Sequence, residues 1–187
     1  VRAELLGYGE SSDAGHITGP AVEGQTKAIQ HALESAGVGP DAVGYVNAHG
    51  TATRTNDSTE SAAIRAVRGA ETDRVLVGSS KSYFGHTLGA SGALETAVTI
   101  LALEHGEAPP NFCSSDQKST ADAPGIMGST RRRGGTMKPV VNLCLGMSSK
   151  ICAGASSRWT TFVHPLNSPT QATPLPPMGK RGSTWST

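Results

Sequence analysis

The sequence predicts an α/β fold, and three observations carry that prediction. Short apolar strands alternate with helix-period segments, strand then helix three times over, between residues 1 and 106. The run Val75-Leu76-Val77 is apolar without alternation, as expected of a strand covered on both faces. In such a layer, functional side chains gather in loops at the carboxyl ends of the strands, and His49 and His86 both fall there.

The elements follow in order. Val1 to Tyr8 is a predicted strand, with Gly7 and Gly9 as its stop, and the polar stretch Ser11 to Pro20 reads as a loop. From Glu23 to Ala36 the apolar positions Ala28, Ile29, Ala32, Leu33 and Ala36 recur at helical spacing, and Gly37, Gly39 and Pro40 end the helix. Val43 to Val46 is a short buried strand leading into Asn47-Ala48-His49-Gly50-Thr51. A second helix is expected to start at Asn56 or Asp57, either of which can cap it. Ala62, Ala63, Ala66 and Val67 form its inner face, and Gly69 closes it. Arg74 to Gly78 is the third strand. The Gly-punctuated turn Phe84 to Gly92 then feeds a helix ending near His105 and Gly106. Ala93, Leu94, Ala97, Val98, Ile100, Leu101 and Ala102 make that helix apolar over most of its circumference, so it belongs inside a protein or against a partner.

A chain of 187 residues is long enough for one domain with a hydrophobic core. Its net charge of +1 argues against a nucleic-acid or membrane-surface footprint. No run approaches the roughly 18 apolar residues of a membrane span. Cys113, Cys144 and Cys152 form no CxxC pair, which fits free thiols in a reducing, cytoplasmic compartment. The apolar share of 36% is low, and the deficit lies after Phe112, where Ser, Thr, Pro, Gly and Arg dominate. Arg131-Arg132-Arg133 reads as a solvated charge cluster in preference to an anion or carrier-protein contact. Val140 to Leu145 is one more candidate strand. Residues 1–155 are expected to form the domain and 156–187 a disordered tail, the segment from His164 onward being rich in Pro, Ser and Thr. The N-terminus has no initiator Met and no signal-peptide core; it reads as a strand entered midway, and so as part of a longer protein.

Two imidazoles at strand ends, each next to a glycine, suit carbonyl chemistry. Neutral N–H groups aimed at one substrate oxygen stabilise negative charge developing there. Each histidine alone is better read as a capping or satisfied buried side chain. The combination of His49 and His86 with Lys81 and Glu60 favours a site. Zinc would need three or four ligands at suitable spacing, which the chain does not offer, so no metal is expected. Gly89-Ala90-Ser91-Gly92-Ala93 lacks the final glycine of a serine-hydrolase elbow, and no Walker-type phosphate loop is present.

Tyr45-Val46-Asn47-Ala48-His49-Gly50-Thr51-Ala52-Thr53, followed by Asn56-Asp57 and Glu60, resembles the first-histidine segment of condensing enzymes. The run from Ser79 to Ala93, containing Lys81-Ser82-Tyr83-Phe84-Gly85-His86, resembles their lysine and second-histidine segment. Ser12-Asp13-Ala14 with His16-Ile17-Thr18, and Pro109-Pro110-Asn111, also match β-ketoacyl-acyl-carrier-protein synthases and polyketide ketosynthases. The resemblance covers roughly Val1 to Phe112. It implies a thiolase-like fold, here its C-terminal half, a mixed sheet with helices packed on it, diverged or incomplete after about residue 112.

The resemblance further implies acyl transfer and decarboxylative Claisen condensation in fatty-acid or polyketide synthesis. His49 and His86 would bind the malonyl-thioester carbonyl, Lys81 would fix the second histidine, and Glu60 would anchor Lys81 or a bound ion. Thr51, Thr53 and Thr18 would contact a phosphopantetheine arm brought by an acyl-carrier protein, with no resident cofactor. The partners would be the carrier protein and acyl and malonyl thioesters, with a homodimer in the full-length parent.

The chain also departs from the family pattern. The family's nucleophilic cysteine lies in the N-terminal half, and none of Cys113, Cys144 or Cys152 has its context, so the isolated chain is expected to be inactive. The family's closing glycine-rich turn is reduced here to Asn142-Leu143-Cys144-Leu145-Gly146-Met147-Ser148-Ser149-Lys150. The break after Phe112 suggests a shifted reading frame or a diverged partial gene. A noncatalytic ketosynthase-like subunit is the alternative, though such a subunit has no chemical need for His49, His86 and Lys81. A synthase of the coenzyme-A-using type is disfavoured by the Asn-Ala-His-Gly-Thr-Ala-Thr segment.

Overall fold

The computed structural model describes residues 2–13, 15, 19–111, 140–142 and 156–165. Strand β1 spans Ala3–Asp13, longer than expected. Gly7 and Gly9 do not end it; they let a helix lie on it. A side chain at Gly7 would put its Cβ 2.6 Å from Ala36 N and 2.8 Å from Ala36 Cβ. Gly7, Gly9 and Asp13 face inward, Tyr8 and Glu10 outward, so the stretch read as a loop from Ser11 continues the strand through Asp13.

Helix α1, Val22–Ala36, buries the stripe Ala28, Ile29, Ala32, Leu33 and Ala36. It ends as its sequence requires. Gly37 takes φ 67°, its N–H bonds Glu34 O at 3.1 Å, and Val38 N–H bonds Leu33 O at 3.1 Å. Strand β2, Tyr45–Asn47, is wholly buried. Helix α2 spans Arg54–Arg68 and starts before Asn56. Thr53 is its N-cap residue and makes no side-chain capping bond to the helix, while Asn56 and Asp57 lie inside the first turn. Strand β3 is Leu76–Gly78, followed by the one-turn helix α3, Lys81–Phe84, and by helix α4, Ser91–His105.

Two further strands complete the sheet: β4, Val140–Asn142, and β5, Ser156–Pro165. The strand order is β1-β5-β4-β2-β3. Strand β2 runs parallel to β3 and β4, with Asn47 opposite both Gly78 and Asn142, whereas β5 is antiparallel to β4 and β1. Of the expected tail 156–187, Ser156–Pro165 is strand, and 166–187 lie outside the described residues. Ser156–Pro165 pairs along β1 from Asp13↔Ser156 to Ala3↔Pro165, and an eleven-residue strand supplies enough backbone partners to hold a weakly apolar segment.

Alternation along β2 assigns the helices to faces. Val46 packs with Ile29, Leu33, Val43, Ile64, Val75 and Val77 under α1 and α2. Tyr45 packs with Ala102, Leu103 and Ala108 on the other face. Helix α4 turns Ser91, Glu95, Thr99, Ala102 and Leu103 inward and leaves Leu94 40% and Leu101 45% exposed. Ser91, Glu95 and Thr99 face inward, and part of the helix's apolar surface faces out. Among the described residues no helix is long and apolar enough to cross a membrane.

Candidate functional site

Both histidines sit beyond the carboxyl ends of adjacent parallel strands, His49 after β2 and His86 after β3 and α3. Their ring centroids are 5.1 Å apart and their planes meet at 87°, an edge-to-face pair. His49 is buried, while His86 is exposed. The backbone around them departs from ordinary conformations: Ala52 takes φ 60° and Leu88 φ 51°. Side-chain-bearing residues rarely adopt such angles, and they concentrate at functional sites.

The turn at Leu88 has a chemical consequence. Leu88 N–H donates to His86 Nδ1 at 3.1 Å, so Nδ1 is the acceptor and the proton of the neutral ring lies on Nε2. Ser91 Oγ lies 3.1 Å from the same Nδ1 and also accepts Thr87 N–H at 3.1 Å. Burial, and after it the Lys81 charge, lower the His86 pKa below its ordinary value, favouring the neutral form with an Nε2–H donor.

Lys81 is buried and pairs with the Glu95 carboxylate on α4. Glu60 is the expected anchor of Lys81 or a bound ion, and the ion pair of this lysine is with Glu95. Glu60 points instead into the β2 loop, where Oε1 accepts His49 N–H at 2.7 Å and Oε2 accepts Gly50 N–H at 3.0 Å. Asn56 Nδ2 adds a bond to Oε2 at 3.3 Å. A helix side chain reaches the loop that immediately precedes its own first turn more easily than a lysine on the neighbouring strand's loop. Burial raises the Glu60 pKa from 4.5 to about 7. The Gly50 and His49 amides oppose that rise, the Asp57 charge adds to it, and the Lys81 charge opposes it. Asp57 is itself raised by burial, against hydrogen bonds from Asn56 and the Ala52 N–H.

Thr51 and Thr53 share the same loop, with their hydroxyls 2.9 Å apart. Thr18, Cys113, Cys144, Cys152 and Arg131-Arg132-Arg133 lie outside the described residues, as does residue 143 onward in the Asn142–Lys150 stretch. Asn142 itself ends β4 beside Asn47.

Sequence reasoning missed Glu95 and Asn47. Asn47 Nδ2 lies 3.1 Å from Glu95 O and 3.3 Å from Thr99 Oγ1, binding the end of β2 to α4. A signal for Glu95 was present. It is the one charged residue within the apolar run Ala93–Ala102, and a carboxylate buried there needs a cation.

The comparisons with known proteins point to one family. The family described as "Beta-ketoacyl synthase, C-terminal domain" matches residues 2–114. The 3-oxoacyl-[acyl-carrier-protein] synthase 2 of Coxiella burnetii is 44% identical over 114 residues, covering 60% of this chain and 28% of that protein. The actinorhodin polyketide putative beta-ketoacyl synthase 1 of Streptomyces coelicolor is 41% identical over 126 residues, 65% of this chain and 27% of that one. The structure titled "AntDE:AntF (apo): type II PKS acyl-carrier protein in complex with its ketosynthase bound to the hexaketide" superposes with a TM-score of 0.72 at 29% identity, covering 88% of this chain and 39% of that one. The chain thus spans under a third of the length of these two curated relatives. Over its matched residues, with a mixed α/β sheet of the thiolase-like kind, the chain belongs to the β-ketoacyl synthase family as its C-terminal domain.

Proposed function

We propose that this chain supplies the decarboxylating half of a condensing active site in fatty-acid or polyketide synthesis. The observation that carries the reading is the His49–His86 pair, two imidazoles facing each other at the ends of adjacent strands. In this reading their N–H groups receive the thioester carbonyl oxygen of a malonyl group. The bond from the malonyl methylene to its carboxylate breaks, carbon dioxide leaves, and the electron pair passes into a thioester enolate. The enolate carbon then attacks an acyl thioester on a cysteine, whose thiolate departs. Fixed donors at the enolate oxygen lower the barrier to the first step.

Burial, and with it the charge of Lys81 held by Glu95, keeps His86 neutral, and Glu60 holds His49 in place. Thr51, Thr53 and Thr18 contact a phosphopantetheine arm delivered by an acyl-carrier protein, so no resident cofactor or metal is invoked. The neighbouring ketosynthase solved with its carrier protein supports that choice of partner. The acyl-bearing cysteine belongs to the N-terminal half of a complete synthase and is none of Cys113, Cys144 or Cys152. The isolated chain therefore performs no condensation. The parent acts as a homodimer in the cytoplasm.

The test is titration of the chain with malonyl-pantetheine, followed by NMR of the histidine rings. Displacement of the His49 and His86 signals, absent in His49→Ala, is expected. Ring signals that stay fixed at saturating ligand would overturn the reading.

A further inference from the structure

Ser79 is the first residue after β3, and its hydroxyl lies between the two histidine-bearing loops. Ser79 Oγ is 3.3 Å from His49 O and 3.2 Å from Gly50 O, so its single proton is shared between two carbonyls of the β2 loop. The same oxygen lies 3.4 Å from Lys81 N, on the turn that leads to His86. Ser79 N–H donates to Asn111 Oδ1 at 2.9 Å, and Ser82 Oγ donates to Ser79 O at 3.2 Å. One half-buried residue thus touches three segments.

The opposite edge of the His49–Gly50 dipeptide is the one Glu60 holds. Both of its N–H groups go to Glu60, and both of its carbonyls face Ser79. Glu60 fastens the loop to α2, and Ser79 fastens it to β3 and the Lys81 turn. The 3₁₀-free segment after α4 supports that turn at both ends, because Tyr83 Oη donates to Pro110 O while Asn111 holds Ser79. Each bond is individually weak. Their placement matters more than their sum, since they set the distance between two loops that no covalent link joins closely.

We infer that Ser79 is a positioning residue that fixes the His49–His86 pair by tying the β2 loop to the Lys81 turn, with Asn111 holding Ser79 in register. The inference rests on the histidine pair being the working site and deepens that reading. Without Oγ, the His49 and Gly50 carbonyls lose this donor, and the two loops move independently.

The experiment is NMR of the ring protons in the full 187-residue chain, with His49→Ala and His86→Ala assigning the signals. In Ser79→Ala the ring-to-ring contact between His49 and His86 is lost, and the His86 titration moves toward the unperturbed value of about 6.5. Ser79→Thr, which keeps the hydroxyl, restores both. The methyl signals of Ile29 and Ile64, in the core under α1 and α2, stay in place in each variant. Ser79→Ala with an unchanged ring contact and an unchanged His86 titration overturns the inference. Should Ser79→Ala lose the isoleucine dispersion, Asn111→Ala gives the same reading, as displaced ring signals support the inference and unmoved ones overturn it. Failure of malonyl-pantetheine to move the wild-type rings would instead refute the functional reading and leave this tie standing.

Discussion

Glu60 carries the backbone of His49. The carboxylate, on the second turn of α2, accepts the His49 N–H at 2.7 Å and the Gly50 N–H at 3.0 Å, so the histidine's position is set by its main chain as well as its ring. A fully buried carboxylate that receives two amides is under opposed pressures, burial favouring the acid and the amides the anion, and burial prevails here.

Stability is therefore expected to fall as pH rises between about 4.5 and 7. The Glu60 carboxyl, ordinarily near 4.5, titrates near 7 in the folded chain, so the folded state holds a proton that the unfolded state has already released. Its favourable contribution is complete below about 4.5 and is lost by the time pH exceeds about 7, a change of roughly 3 kcal/mol. Urea unfolding at pH 4.5, 6 and 7.5 reads this slope. Glu60→Gln removes it while keeping one acceptor for the loop amides, and an unchanged slope in that variant would contradict the assignment.

Breaking the Lys81–Glu95 pair should cost more than deleting it. Both side chains are buried, so Glu95→Leu strands the ammonium and is expected to destabilise the chain by about 3–5 kcal/mol. Lys81→Met with Glu95→Leu removes both charges and is expected to recover much of that loss. A double-mutant cycle on urea midpoints measures the difference. Additive single effects would deny the coupling.

Gly7→Ala should destabilise the packing of α1 on β1. The new Cβ would fall 2.6 Å from Ala36 N, and a helix backbone cannot yield as a flexible side chain can. The expected loss is about 1–3 kcal/mol. Gly89→Ala is the control, as nothing lies within 4 Å of a Cβ there. Equal thermal midpoints for the two variants would count against the close approach.

Leu101→Lys should leave the fold intact. The side chain is 45% exposed, so its removal is expected to change stability by no more than about 0.5 kcal/mol. Binding of an apolar dye to the α4 face should decrease, because Leu94 and Leu101 are its exposed leucines. A large fall in the unfolding midpoint would show that this face is already covered.

The sequence by itself determined what is local. Helix α1 and its Gly37 stop are written in consecutive residues, because helical spacing and a left-handed cap act over four or five positions. The two histidine segments named the family for the same reason, since each is an unbroken run. Only the tertiary structure decided which groups meet across the fold. Gly7 and Gly9 look like strand stops until α1 lies on them, and Ser156–Pro165 looks like a tail until β1 pairs with it. Lys81 has acidic residues on both sides in sequence, and the choice of Glu95 over Glu60 depends on how α4 crosses the sheet. A hydrogen bond or ion pair needs its partners within about 3 Å. Across fourteen residues or a hundred, that condition is met by packing and leaves no periodic trace in the chain.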